Sequence, residues 1–168
     1  FAITFVLMLL PWLPPRRKLP AAVVDLANCN GCTRCSEDCP FGAIAMMPRT
    51  DGLPFDRQAV VDENVCVSCG ICVGACPTAM PFRRRSELIP GIDLPGLTAA
   101  ELRDKIHAAS TKMTGTARVL MIGCEHGIKS KKLASENRIG VDLPCAGMLP
   151  PSYIDYILSK GLADGVAV

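Results

Sequence analysis

Eight of the ten cysteines in this chain stand in two runs with one spacing. The first is Cys29, Cys32, Cys35 and Cys39, closed by Pro40. The second is Cys66, Cys69, Cys72 and Cys76, closed by Pro77. Both read C-x2-C-x2-C-x3-C-P. Thiolates are soft donors that select zinc, copper(I) or iron–sulfur groups. Three of them at steps of three residues form a tight loop around one face of a metal group. The fourth is carried away from that loop. Proline after it has no N–H to donate and disfavours a helical conformation at the cysteine, so the chain turns off there. A structural zinc site closes with four ligands and has no use for a third cysteine at the same step followed by C-P. A secreted disulfide framework would also give an even count, but cysteines packed this densely would strain to pair with one another. The spacing is that of ligands to cubane iron–sulfur clusters.

The elements around these runs are repeated as well. Ala22-Val23-Val24-Asp25 recurs as Ala59-Val60-Val61-Asp62, and each cysteine recurs at the same offset of 37 residues. Each half reads as a short strand entering the cysteine loop, a short helical turn, and a second strand, of which Ala43–Met47 is the clearest case. The stretch from Pro48 to Asp56, with Asp51-Gly52, links the halves as a turn. Gly31, Gly70 and Gly74 leave room for backbone N–H groups to approach sulfur. Arg83, Arg84 and Arg85 follow as a basic turn, solvated or facing an acidic partner or lipid headgroups.

Beyond this the period changes. Leu88–Leu97, with Pro90, Gly91, Pro95 and Gly96, has the composition of a linker. Thr98 to Glu101 is a capping box that opens a helix to about Thr111, with Leu102 and Ile106 on one face and His107 at the surface. Ala117–Cys124 is a continuous apolar run expected of a strand buried on both faces. A basic segment with helical potential, Ile128–Glu136, comes next. A strand over Ile139–Leu143, a helix over Pro151–Lys160 ended by Gly161, and a closing strand Gly165–Val168 complete a small parallel α/β layer. It contains no G-x-G-x-x-G, so nothing argues for a nucleotide.

Composition bounds the remainder. The 168 residues carry 18 Lys and Arg against 16 Asp and Glu, a net charge of +2, too small to argue for nucleic acid. Aromatics are 5% and apolar residues 49%, so the core is built from aliphatic side chains. No catalytic triad, nucleophile elbow or pair of carboxylates in an apolar frame is visible. The apolar segment Phe1–Leu13 is shorter than the roughly 20 residues of a spanning helix. It fits the final part of one, with Trp12 at the interface and Pro11, Pro14 and Pro15 at its end. Arg16, Arg17 and Lys18 then place the remaining residues on the cytoplasmic side. In a signal peptide the charge would precede the apolar run. A buried core helix is the other reading. The chain does not begin with Met and its last strand reads as cut off, which suggests a fragment of a longer protein.

Over residues 21–82 the cysteine runs resemble two-cluster bacterial-type ferredoxins. That resemblance implies an α+β ferredoxin-like dicluster domain with a pseudo-two-fold repeat and two [4Fe-4S] clusters. It implies crossed ligation, with Cys29, Cys32, Cys35 and Cys76 on the first cluster and Cys66, Cys69, Cys72 and Cys39 on the second. Residues 117–168, with Cys124, Leu143-Pro144-Cys145-Ala146-Gly147-Met148 and Ala163–Val166, resemble the methyl-viologen-reducing hydrogenase delta subunit. This implies a truncated α/β domain carrying part of a further iron–sulfur cluster in the full-length protein. Cys124 and Cys145 match its cysteines, but Gly127 stands where a second C-x-x-C cysteine would be, and His126 is a conceivable substitute. Otherwise the pair are small strand-end residues. The expected order is the end of a transmembrane helix (1–20), the ferredoxin unit (21–82), linker and helix (83–116) and the delta-like domain (117–168). It looks like a cytochrome-b-type fusion with hydrogenase or heterodisulfide-reductase-like partners. The implied role is a relay of single electrons between a membrane redox centre and a docked oxidoreductase. The alternative is part of a catalytic subunit whose substrate site lies elsewhere. The location expected is the cytoplasmic face of the inner membrane.

Overall fold

The computed structural model describes residues 2–9, 19–82 and 88–168. An N-terminal helix, α1 (Ala2–Leu9), exposes Ile3, Phe5, Val6 and Met8. Among the described residues no helix is long and apolar enough to cross a membrane. Trp12, the prolines around it and the basic group 16–18 lie outside the described residues, as do Arg83, Arg84 and Arg85.

The cysteine-bearing half is built on two antiparallel pairs. Strands β2 (Ile44–Pro48) and β3 (Arg57–Val61) form a hairpin in register from Ile44 opposite Val61 to Pro48 opposite Arg57. Strand β1 (Val23–Val24) pairs with β4 (Ile92–Asp93). Two short helices, α2 (Arg34–Glu37) and α3 (Ile71–Ala75), follow the cysteine loops and pack on each other. The repeat expected from sequence is therefore present in its strands, loops and helices; the offset puts its last strand over residues 81–85, of which 83–85 lie outside the described residues. Leu88–Leu97, read as a linker, supplies β4 and sends Leu88, Ile92, Leu94 and Leu97 into the core. Its prolines and glycines permit close approach: a Cβ on Gly91 would stand 2.8 Å from the Cys29 Cα.

Helix α4 (Ala99–Ser110) starts at the predicted capping box, with Thr98 accepting from the Glu101 N–H and Glu101 accepting from the Thr98 N–H. Leu102 and Ile106 form its buried face. His107, expected at the surface, is half-buried, with its Nε2 2.7 Å from the Tyr156 hydroxyl. Its partner comes from 49 residues away and had no local signal.

The last part of the chain is a three-stranded parallel sheet in the order β6 (Arg138–Leu143), β5 (Val119–Cys124), β7 (Gly165–Ala167). Helix α5 (Pro151–Ser159) connects β6 to β7, starting on proline as expected. The segment Ile128–Glu136 does not form the expected α-helix; a single tight turn, Ser130–Leu133, stands there. The Ser130 N–H and hydroxyl both donate to Asp142 on β6, at 2.9 and 2.6 Å, and this anchors the segment to the sheet. One continuous core joins the two halves, with Ile92, Leu102, Ile106, Leu120, Leu143, Met148, Tyr153 and Ile157 almost fully buried.

Candidate metal centre

Each cysteine loop opens on the same turn. The Asp25 carbonyl accepts the N–H groups of Asn28 and Cys29, and the Asp62 carbonyl accepts those of Val65 and Cys66. Asp25 and Asp62 also cap these turns with their carboxylates, receiving the N–H of Ala27 and of Asn64. The chain then enters the left-handed region at matching positions: Gly31 and Ser68, then Thr33 and Gly70, with φ of 68°, 59°, 70° and 80°. Such backbone costs a non-glycine residue about 1–2 kcal/mol. Ser68 is held there by its hydroxyl, donating to Pro20 O at 2.6 Å, and Thr33 by its bond to Glu37 at 2.7 Å. The repeat of an unfavourable conformation at both loops shows that backbone curvature, and not glycine as such, is what the loops need.

The curvature turns sulfurs inward. Cys29, Cys32, Cys35 and Cys76 line one cavity, together with Met46, Ala59 and Ile92. Cys39, Cys66, Cys69 and Cys72 line a second, walled by Ala22, Ile44, Ile71 and Leu94. In each case the departing cysteine of one run meets the three of the other. The link is α2 against α3, which carry the buried Cys35 and Cys72. All ten cysteines are free thiols.

Sulfurs crowded into apolar surroundings resist ionisation. Burial pushes the Cys35 thiol up to about 11, with Cys76, Cys29 and Cys32 adding repulsion. It pushes Cys72 to about 12, reinforced by Cys69, Cys35 and Cys66. Cys69 is raised as well, first by burial, and Cys145 leads the charges that oppose its ionisation. Four thiolates around one space, with Cys35 or Cys72 buried among them, are stable only when positive charge lies between them. The donor set fits an iron–sulfur cluster: four cysteines per cavity and no carboxylate or imidazole among the lining side chains. Among the described residues no group of three or more Cys, His, Asp or Glu gathers around a single ion.

The other sequence candidates are not among the lining residues, although Cys145 lies close enough to Cys69 to oppose its ionisation. Cys124, at the end of β5, sits 3.5 Å from the Pro144 carbonyl and accepts the His126 N–H at 3.4 Å, while the His126 side chain is exposed. Cys145 leads into the turn Ala146–Met148, which packs on α3 beside the second cavity. Neither cysteine lines either cavity. Gly74, expected to admit backbone toward sulfur, instead admits that turn: a Cβ there would lie 2.6 Å from the Met148 carbonyl oxygen.

Two polar residues near the sulfurs were not foreseen. Arg49 has a side chain only 3% exposed; it donates to Cys29 O at 2.6 Å and to the Leu26 carbonyl, and pairs with Asp51. Thr78 lies 3.0 Å from the Cys76 sulfur. Comparing the halves at the 37-residue offset would have drawn attention to Thr78, because its counterpart is Phe41.

Residues 28–80 match the 4Fe-4S dicluster domain family. An uncharacterized ferredoxin of Methanocaldococcus jannaschii is 34% identical over 56 residues, which are 33% of this chain and 68% of that protein. An anaerobic dimethyl sulfoxide reductase component of Escherichia coli is 43% identical over 56 residues, covering 32% of this chain and 24% of the relative. A component of an ion-translocating oxidoreductase complex of Methanosarcina acetivorans is 40% identical over 50 residues, or 30% of this chain and only 16% of the relative. No solved structure matches. Through its cysteine-bearing half the protein belongs to the 4Fe-4S dicluster ferredoxins.

Proposed function

We propose that the protein is a relay for single electrons, with Cys29, Cys32, Cys35 and Cys76 holding one [4Fe-4S] cluster and Cys66, Cys69, Cys72 and Cys39 a second. The observation that carries this is the crossing: the last cysteine of each run lines the cavity of the other. When bound, each cluster supplies a one-electron couple. The chain's own residues ligate, bury and hydrogen-bond. Cys35 and Cys72 lie on packed helices, with Cys35 close enough to oppose the ionisation of Cys72, and so connect the two sites. Burial of Cys35 and Cys72 among apolar side chains keeps water from these two sulfurs, which favours low potentials.

The wider setting belongs to the same proposal. Residues 117–168 form a delta-subunit-like module on which a hydrogenase or heterodisulfide-reductase-type partner docks. Residues 1–20 attach the chain to a cytochrome-b-type part of the membrane, on its cytoplasmic face, as part of a longer fusion. The apolar run Phe1–Leu13 followed by Arg16, Arg17 and Lys18 supports the attachment. Relatives that are subunits of oxidoreductase complexes support redox protein partners, and equally support a second reading in which the chain is part of a catalytic oxidoreductase subunit. A further cluster on Cys124 and Cys145 would need ligands from outside this chain. Anaerobic reconstitution tests the core of the proposal. About eight irons per chain and a reducible paramagnetic signal are expected; stoichiometric zinc without iron would reject it.

A further inference from the structure

Because the two cysteine sets are copies at a fixed offset, each side chain around one has a counterpart around the other. The clearest difference lies two residues beyond the departing cysteine. After Cys76 it is Thr78; after Cys39 it is Phe41. The Thr78 Oγ1 stands 3.0 Å from the Cys76 Sγ and accepts the Gly91 N–H at 2.8 Å. It is fixed there by the turn Pro77–Ala79, which the Ala79 N–H closes onto Cys76 O at 3.0 Å. A ligating thiolate has no proton to give, so in a metal-bound Cys76 the hydrogen of this contact comes from the hydroxyl. Around Cys39 the matching place is taken by the ring of Phe41, which lines the second cavity, and the sulfur accepts the Ala43 N–H at 3.4 Å. Arg49 adds a guanidinium near Cys29, but Asp51, 2.5 Å away, balances its charge. The hydroxyl is the larger asymmetry.

We propose that Thr78 is a positioning residue that makes the site of Cys29, Cys32, Cys35 and Cys76 more oxidising than its counterpart. This rests on the cluster reading above. Adding one electron places negative charge on the sulfurs, and a donor aimed at one of them stabilises the reduced form over the oxidised form. The second site, which has Phe41 at the matching position, is then the more reducing. An electron delivered there runs downhill to the first.

The experiment is a redox titration of the reconstituted full chain, followed by electron paramagnetic resonance, for the parent, Thr78→Val and Thr78→Ser. Iron is counted first: an unsubstituted chain without about eight irons would fail the cluster reading itself. In a loaded chain, Thr78→Val should shift the electron partition between the clusters about tenfold, which is about 59 mV for a one-electron couple. One potential falls and the other stays, while Thr78→Ser behaves as the parent. Two unmoved potentials, two that move together, or a serine variant that falls with the valine would each overturn the inference. If Thr78→Val does not load, Thr78→Ala carries the same expectation. Loss of iron in both, with Thr78→Ser loading normally, would make the hydroxyl a folding group and would equally overturn it.

Discussion

Replacing Gly74 by alanine should loosen the C-terminal half from the second cysteine set. Gly74 sits in α3, two residues past Cys72, and the Ala146–Met148 turn lies directly over it. The added methyl would stand 2.6 Å from the Met148 carbonyl oxygen and 3.2 Å from that of Gly147. Both targets are backbone, so no rotamer change relieves the contact. The Met148 side chain beneath is fully buried, which prevents the turn from lifting freely. Three effects compete. Alanine gains up to about 1 kcal/mol in helix propensity, less in a helix as short as Ile71–Ala75. Burying a methyl adds up to about 0.8 kcal/mol if it fits. Overpacking against a fixed core costs about 1–3 kcal/mol, and with the methyl inside contact distance the burial gain is not realised. The balance is a loss of about 1–2 kcal/mol, or roughly 3–6 °C in midpoint for a chain of this size. Thermal unfolding of the reconstituted protein, followed by visible circular dichroism, measures it. Trimming Met148 to alanine as well should not rescue the variant, because the clash is with its carbonyl. A Gly74→Ala protein as stable as the parent, or more so, would refute the docking of this turn on α3.

Two further outcomes can be checked independently. Burial raises the Asp93 carboxyl from its ordinary 3.8 to about 6, although the N–H groups of Leu94 and Ala99 donate to it. The native state therefore keeps a proton that the unfolded chain has released, so stability falls as pH rises from about 4 to about 6. Undiscounted this is roughly 3 kcal/mol, and partial exposure of the group reduces it to about 1–2 kcal/mol. Asp93→Asn keeps the acceptor oxygen and removes the charge, so urea midpoints should converge with the parent near pH 4 and exceed it at pH 7; an unchanged slope would reject this. Membrane attachment through residues 1–20 is checked by fractionating the full-length protein, and recovery entirely in the soluble fraction would reject it.

What residue order alone settled was the metal chemistry. Eight cysteines at two identical spacings, doubled with their flanking strands, leave little freedom, because ligand type and loop length are local properties. The capping box at Thr98, the parallel strands β5 and β6 and the start of α5 were legible for the same reason: their signals lie within a few residues. The tertiary structure decided whatever depended on distant partners. Leu88–Leu97 has a linker's composition, and only pairing with β1, far earlier in the chain, makes it a strand. His107 has no local hint of Tyr156, and the helical potential of Ile128–Glu136 gave way to two hydrogen bonds reaching across to Asp142. Thr78 beside a sulfur and Gly74 beneath a carbonyl are likewise facts of close packing, where a contact depends on tenths of an ångström that no spacing encodes.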